Sequence, residues 1–446
     1  MNKEAPILIV GAGLCGSLLA TRLGQRGYRV ELYERRADPR GVDNGGGRSI
    51  NLALSARGLL ALDRVGLREK VLETCVPMRG RMIHPLGGDT FFSPYSARPG
   101  EHINSVSRSG LNDILLDAAD EHDHVDLHFG QKCVHVDLER AEVTLEAPDG
   151  TRTQRSGQIV IGTDGAGSAV RRAMMGRTTD LLFNYSQNFL RHGYKELTMH
   201  ASDTGGWRME KNALHIWPRG SFMMIALPNP DGSFTLTLFH PFGGEWGFDR
   251  LTTREHVREF FEKFYPTLLP HVPHYLDEFF ENPVGTLGTI KCSPWQAYGK
   301  ALVMGDAAHA IVPFYGQGMN ASFEDVRVFD DMLDGYDNWL DLFQNYEQSR
   351  IPNAAAIADL AIDNFHEMQD RTDDADFIKK RQLEMKLERE FEDYYSKYSL
   401  VTFRPELDYT EAMRRGRAQD ELLLELVRDG ATDNPQLVYQ RLQDLK

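Results

Sequence analysis

Apolar positions in this chain come in short runs that end on glycine or an acid, separated by stretches with a single apolar stripe at helical spacing. The first run, Pro6 to Val10, leads directly into Gly11-Ala12-Gly13-Leu14-Cys15-Gly16, after which Leu18, Leu19 and Leu23 mark one helix face. A second strand, Arg29 to Tyr33, ends at Glu34. Turn formers at 38–47 predict a surface loop, and an amphipathic helix follows over 56–65. Residues 77–99 alternate apolar and polar positions about Gly87-Gly88, as a β-hairpin would. A helix is predicted within 105–121, with Leu111, Ile114, Leu115 and Ala118 on one face. Strands follow across 125–147, and a buried run from Gln158 ends at Asp164-Gly165 before a helix near Ser168.

From 193 to 239 the period changes to that of strands: Gly193 to Met199, Leu214 to Trp217, Phe222 to Leu227 and Phe234 to Phe239, the last three joined as antiparallel neighbours by tight turns. A helix is expected at 254–265. The run Ala301 to Met304 then ends at Gly305-Asp306, and Gly316 and Gly318 open a helix with Met319, Phe323, Val326 and Leu333 on its stripe. Beyond Arg350 the pattern predicts helices at 353–370 and 375–397. The segment LEMKLEREFEDYY within the second reads as a solvated charged face.

Strand, G-x-G-x-x-G, helix, strand and acid, in that order, form a dinucleotide-binding unit. The glycines let backbone approach a pyrophosphate, and Glu34, 18 positions after Gly16, accepts from a ribose hydroxyl. An acid there favours FAD or NAD over NADP, although Arg35 and Arg36 adjoin it. Asp306 at a strand end and the free N–H groups opening the Gly318 helix suit a ribityl hydroxyl and the negative charge of a reduced flavin. His309 reads as structural. Arg108 is balanced between a dinucleotide contact and a helix-flanking ion pair.

The fold class is α/β: a Rossmann-like FAD-binding domain with a β-sheet substrate domain and a C-terminal helical region. The expected boundaries are 1–75, 101–185 and 286–350 for the first, 76–100 and 186–285 for the second, and 351–446 for the helical region, which completes the substrate pocket. At 446 residues and 41% hydrophobic content the chain suits two to three globular domains. A net charge of −15 without a basic cluster argues against nucleic acid. Cys15, Cys75, Cys133 and Cys292 are too widely spaced for a zinc site and read as free thiols, so no metal is expected. With a polar start at 1–6 and no run near the ~20 apolar residues of a membrane span, a soluble, cytoplasmic protein without a signal peptide is expected. Arg79 and Arg81 share a parity on the hairpin, where spacing alone favours ordinary surface arginines. Tyr95 is equally open.

The combination of GAGLCG, the strand-end DG at 164–165, and GDAAH with GQGMN resembles the FAD-dependent aromatic hydroxylase superfamily. Within it, GRSINLALS (47–55), PMRGRMIH (77–84), HGYKEL (192–197), NALHIWPRGSFMMIALPN (212–229) and YSLVTF (398–403) are similar to the kynurenine 3-monooxygenase family. Eukaryotic members carry a hydrophobic C-terminal anchor. This chain ends in NPQLVYQRLQDLK, like the soluble bacterial form, so no membrane anchor is expected.

The resemblance implies hydroxylation of L-kynurenine to 3-hydroxy-L-kynurenine, a step of tryptophan catabolism and NAD biosynthesis, with noncovalent FAD, NADPH as co-substrate and O2, through a flavin C4a-hydroperoxide. It implies substrate contacts from Arg81, Tyr95, Asn364, Glu367 and Tyr398. It implies cofactor contacts from Gly11, Gly13, Cys15, Gly16, Tyr33, Glu34, Arg35 and Arg36, and from Ala53, Arg108, Cys133, Asp164, Asp306, Gly318, Met319 and Asn320. No catalytic acid or base is assigned, because the flavin carries the chemistry. Phe365 and Tyr315 depart from or vary within the family pattern. Oligomeric state stays open, with a homodimer as the candidate. Two other readings remain: a flavin hydroxylase of another aromatic acid, and a flavin-binding regulatory protein without turnover.

Overall fold

A computed structural model describes residues 1–41, 51–370 and 374–445, with side chains at 369 and 370 excepted. Residues 42–47 of the expected surface loop, and Gly47 to Ile50 of the GRSINLALS segment, lie outside the described residues.

The strand Ile7–Val10, wholly buried, is the axis of a six-stranded sheet. Val30–Tyr33 and then Val125–His128 lie on one side of it, and Ile159–Gly162 and then Ala301–Val303 on the other, all parallel. Gln296–Ala297 closes that edge antiparallel. Chain order therefore reverses across Ile7–Val10, and the carboxyl ends of its neighbours open a crevice at that point. Gly11, Glu34, Asp164 and Asp306 all follow those strand ends, so four distant segments meet at one edge for a topological reason.

A seven-stranded sheet forms the second layer, in the order Gly285–Ser293, Asn184–Met199, Phe234–Pro241, Met223–Pro228, Leu214–Pro218, Gly80–Ile83, Phe91–Pro94. The expected hairpin is its outer edge: Gly80–Ile83 runs parallel to Leu214–Pro218 and antiparallel to Phe91–Pro94. The last three strands expected within 193–239 are antiparallel neighbours as predicted, and Asn184–Met199 pairs antiparallel with Phe234–Pro241. Asn184–Met199 is longer than expected, because its first half pairs with Gly285–Ser293. A small sheet of Asn51–Leu54, Ile103–Ser107 and Val76–Met78 bridges the two layers.

The helical region differs from the sequence-based expectation in three ways. The helix expected from Asn353 is one helix, Trp339–Asp370, that runs through Pro352. Burial of Ala354, Ala356, Ile357 and Leu360 just beyond the proline holds it together. The helix expected over 375–397 stops at Glu390 and restarts as Lys397–Thr402. There the Ser396 hydroxyl caps the new helix, while the Glu388 carboxylate accepts from the Ser396 N–H at 3.0 Å and the Ser399 hydroxyl at 2.7 Å. Nor is LEMKLEREFEDYY a solvated face: Leu383, Glu384, Met385, Leu387 and Glu388 are buried, the acids paired with Arg381, Lys380 and backbone donors. Two further helices, Tyr409–Arg428 and Pro435–Gln443, complete the region.

All four cysteines are free, three buried and Cys75 half-buried. Among the described residues no helix is long and apolar enough to cross a membrane, and no group of histidines, cysteines and acids is arranged to hold a metal ion.

Candidate functional site

At the crevice the glycine turn is fixed by crowding. A Cβ on Gly16 would lie 2.0 Å from the Gly11 carbonyl oxygen, and one on Gly11, at φ +105°, would lie 2.6 Å from the Asp164 Cα. On Gly13 it would meet nothing, so this turn faces open space. The helix Leu14–Gln25 that follows has no side chain capping its first N–H groups. Glu34 sits beside the turn, taking the Ala12 N–H at 3.1 Å on one oxygen and the Arg36 N–H and Nε on the other. Burial opposes its charge, but Arg36 and the backbone donors outweigh it, and the carboxyl is held below its usual range. Arg35 is exposed, and Tyr33 is buried with its hydroxyl on Glu31.

Asp164 accepts from the Ala169 N–H at 2.6 Å, yet its other carboxylate oxygen is buried without a partner among the described residues. Cys133 lies within the field of Asp164, with its thiol pushed up to about 12, first by burial and then by that carboxylate. Asp306 is exposed at the crevice edge. The helix Gly318–Met332 starts at Gln317 with no side-chain cap. Two uncapped helix starts, an open glycine turn, a buried unpaired carboxylate oxygen and an exposed strand-end acid fit the phosphates and hydroxyls of a dinucleotide such as FAD.

Asn320 and Cys15 are arranged differently from simple side-chain ligands. The Asn320 amide donates to the Ala53 and Gly316 carbonyls, both at 2.8 Å, and its oxygen accepts from the Ser55 N–H at 2.9 Å. Its side chain thus ties the strand Asn51–Leu54 to the Gly318 helix. The Cys15 thiol packs against Gly305, where an added Cβ would meet the sulfur at 3.0 Å, and burial pushes it well up, so it stays a neutral packing group. Met319 is partly buried beside the same core, and Arg108 opens the helix Arg108–Asp120, its charge reaching Tyr194 of the long sheet.

Beneath this seat lies a buried charge frame that the sequence reading missed. Asp325 accepts from the Gly305 N–H at 3.0 Å and contacts His309 Nε2 at 2.5 Å. Arg350 reaches Asp325 at 2.8 Å and Glu324 at 2.6 Å, and Glu324 also takes Arg57 at 2.8 Å. Burial works against both carboxylates, and the cations around them hold both below their usual range. His309, stacked on Trp295, belongs to this frame. The available signal was position: Glu324 and Asp325 stand between Phe323 and Val326 on the buried stripe, where unpaired charge is too costly to keep.

A second cluster assembles where the hairpin meets the helical region. Arg81 is half-buried, its guanidinium 5.6 Å from the Tyr95 ring and 5.3 Å from the Tyr398 ring. Tyr95 and Tyr398 stack at 4.8 Å, and Tyr398 also stacks at 5.6 Å on Tyr315, which immediately precedes Gly316. Burial penalises the Arg81 charge, the surrounding phenols favour it, and it stays charged with no carboxylate partner among the described residues. Arg79, of the same parity, is exposed. Ala53 packs against the Tyr95 and Tyr398 cluster, so the strand bonded to Asn320 separates the two sites by one residue's thickness.

Asn364 and Glu367 lie on one helix but are held apart. Asn364 is buried and donates to the Phe314 carbonyl at 2.5 Å, beneath the loop carrying Tyr315. Glu367 is ion-paired with Lys397, which also holds Asp420 at 2.5 Å. Phe365 packs between them on Phe314 at 4.3 Å.

Comparison with known proteins gives a consistent picture. The model of the family described as "FAD binding domain" matches residues 4–361. A kynurenine 3-monooxygenase of Myxococcus xanthus is 45% identical over 95% of this chain and 91% of its own length, and one of Dictyostelium discoideum is 43% identical over 96% and 94%. Among solved structures, the tetrameric form of 2-methyl-3-hydroxypyridine-5-carboxylic acid oxygenase superposes with a TM-score of 0.67 at 20% identity, covering 93% of this chain and 97% of that one. At that identity the likeness is one of fold.

Proposed function

The chain belongs to the kynurenine 3-monooxygenase family and to the wider FAD binding domain family, and on that premise we propose that it hydroxylates L-kynurenine to 3-hydroxy-L-kynurenine with NADPH and O2. Bound FAD would take reducing equivalents from NADPH and deliver one oxygen atom of O2 to the ring. The residues of this chain bind, orient and exclude water.

In this reading the expected division of the chain into an FAD-binding part, a β-rich substrate part and a helical region is retained, with the substrate held where the three meet. Gly11, Gly13 and Gly16 admit the pyrophosphate, Glu34 accepts from the adenosine ribose, and Asp306 from the ribityl chain. The uncapped N–H groups of the Gly318 helix stabilise negative charge on the reduced ring system. Arg81 grips the amino-acid carboxylate, and the stacked pair Tyr95 and Tyr398 places the aromatic ring. Asn364 and Glu367 act through what they hold: the Phe314 carbonyl and Lys397. A cytoplasmic, reducing setting agrees with four unpaired cysteines.

One observation carries the substrate assignment. Arg81 is a half-buried cation flanked by phenols, with no acidic partner among the described residues, beside a seat built for a dinucleotide. Burial pushes the Tyr95 and Tyr398 phenols up, so neither is a base near neutrality. The ring amine of kynurenine already activates the adjacent carbon, and the reaction needs no phenolate.

The test is turnover. Purified flavin-loaded protein should consume NADPH with L-kynurenine and form a product heavier by one oxygen atom. Oxygenation of a hydroxybenzoate but not of kynurenine would transfer the assignment to another aromatic acid, and a yellow protein that consumes no NADPH with any aromatic would make it a sensor.

A further inference from the structure

Arg57 is one of the most deeply buried large side chains of the molecule, 1% exposed, and neither the dinucleotide seat nor the Arg81 pocket uses it directly. Its guanidinium reaches three segments at once. Nε donates to the Val401 carbonyl at 2.7 Å, and the terminal nitrogens donate to Leu407 O at 2.7 Å, Arg404 O at 3.2 Å and Glu324 at 2.8 Å. Its flat face covers the Tyr409 ring at 4.0 Å, and the Tyr409 hydroxyl donates to the side chain of Gln317, the residue at which the Gly318 helix begins.

Those partners are the two functional sites at one remove. Val401 lies in the helix Lys397–Thr402, one turn after Tyr398, and its carbonyl is among those a helix C-terminus leaves unpaired. Glu324 stands on the Gly318 helix, and through Arg350 and Asp325 it is joined to the Gly305 N–H at the strand end beside Asp306. Stability alone is a weak reason for such a group, because a buried ion pair is often matched or bettered by apolar side chains of similar volume. A planar fork of five donors does something apolar packing does not: it fixes direction and distance between the groups it bridges.

Resting on the hydroxylase reading, we propose that Arg57 is a positioning residue that holds the Tyr398 helix in register with the Gly318 helix, and so sets how the aromatic ring stands over the flavin. The consequence falls on oxygen. In coupled turnover NADPH, a proton, O2 and kynurenine give NADP⁺, 3-hydroxykynurenine and water, with two electrons from NADPH and two from the ring C–H that becomes C–OH. If the ring stands wrong, the same NADPH, proton and O2 give NADP⁺ and hydrogen peroxide, and the substrate leaves unchanged. Small misplacements are costly to the productive branch only.

Arg57→Lys keeps the charge but cannot hold four acceptors. The flavin-loaded variant should keep FAD affinity near wild type, melt at a lower temperature because buried carbonyls lose their donor, and consume NADPH with kynurenine at a similar rate. Product formed per NADPH should fall by about threefold or more, with peroxide making up the difference. Glu324→Gln, which keeps an acceptor for Arg57, should fall between the two. Wild-type coupling in Arg57→Lys would overturn the proposal while leaving the hydroxylase reading intact. Loss of flavin or of fold in both variants would also overturn it, assigning Arg57 to the framework alone. A wild-type protein that forms no hydroxykynurenine would remove both readings.

Discussion

The dinucleotide seat and the Arg81 pocket are neighbours built on opposite plans. The seat is made of strand ends on one parallel sheet, each carrying its functional group within a few residues of a buried apolar run. The pocket is made of side chains from three separate places: Arg81 and Tyr95 from the edge hairpin of the second sheet, Tyr315 from a short turn, Tyr398 from a six-residue helix. Backbone topology places the first; in the second it sets only Arg81 beside Tyr95, and tertiary packing brings Tyr315 and Tyr398 to them. On the proposed function, chemistry common to many substrates would rest on the part that varies least with side-chain choice, and substrate choice on the part that side chains can retune.

That contrast predicts different failures. The largest should come from Gly16→Ala, whose Cβ would lie 2.0 Å from the Gly11 carbonyl oxygen and 2.5 Å from the Thr163 hydroxyl. The turn must open, and the protein should purify without flavin absorbance or fail to fold. Retention of stoichiometric FAD would show the turn to be less constrained than its geometry requires.

Next in size is Arg81→Ala. Removing one partner of a sequestered carboxylate–guanidinium pair costs about 2–4 kcal/mol, or roughly 30- to 700-fold in kynurenine affinity. FAD affinity, measured separately by fluorescence quenching, should change little. Equal losses for both ligands would erase the distinction between seat and pocket.

Tyr398 should show a graded effect. Tyr398→Phe keeps the stacks on Tyr95 and Tyr315 and should leave KM for kynurenine close to wild type. Tyr398→Ala loses both, at ~0.5–1.5 kcal/mol per aromatic pair, and should raise KM by about tenfold. A large effect of Tyr398→Phe would mean that the hydroxyl, rather than the stack, is what the substrate meets.

The smallest effect is on stability, and it lies in the sheet that carries the hairpin. His84 Nε2 lies 2.9 Å from His215 Nδ1, and burial first, then neighbouring cations for His84, brings both down to about 4. The unfolded chain therefore binds more protons than the folded one between about pH 4 and 6.5, so stability should fall as pH drops through that window. Thermal melts across it should show the slope, and His215→Asn should flatten it. An unchanged slope would assign it to other groups.

The seat was legible because its signals are local. Gly11 to Gly16, Glu34 and Asp306 each follow an apolar strand in the sequence, and periodicity and turn chemistry suffice to find them. Arg81 was different: parity paired it with Arg79, and only the fold separates them, one against Tyr95 and Tyr398 and the other in solvent. Resemblance chose between them where spacing did not. Tyr315 was seen only as a variable position, although the turn before Gly316 stacks it on Tyr398, so the flavin motif itself lines the pocket. The charge frame escaped for a further reason. Arg57, Glu324, Asp325 and Arg350 pair across three helices, and a charged residue on a helix reads as solvated until its partner from another element is known. The same assumption misread LEMKLEREFEDYY.

Hydroxylation is tested most directly by the mass of the product formed when the flavin-loaded protein oxidises NADPH in the presence of L-kynurenine. A gain of one oxygen atom, with 18O from labelled O2 incorporated on the ring carbon beside the amine, is the predicted result. Recovery of unmodified kynurenine, with every reducing equivalent accounted for as hydrogen peroxide, would contradict it.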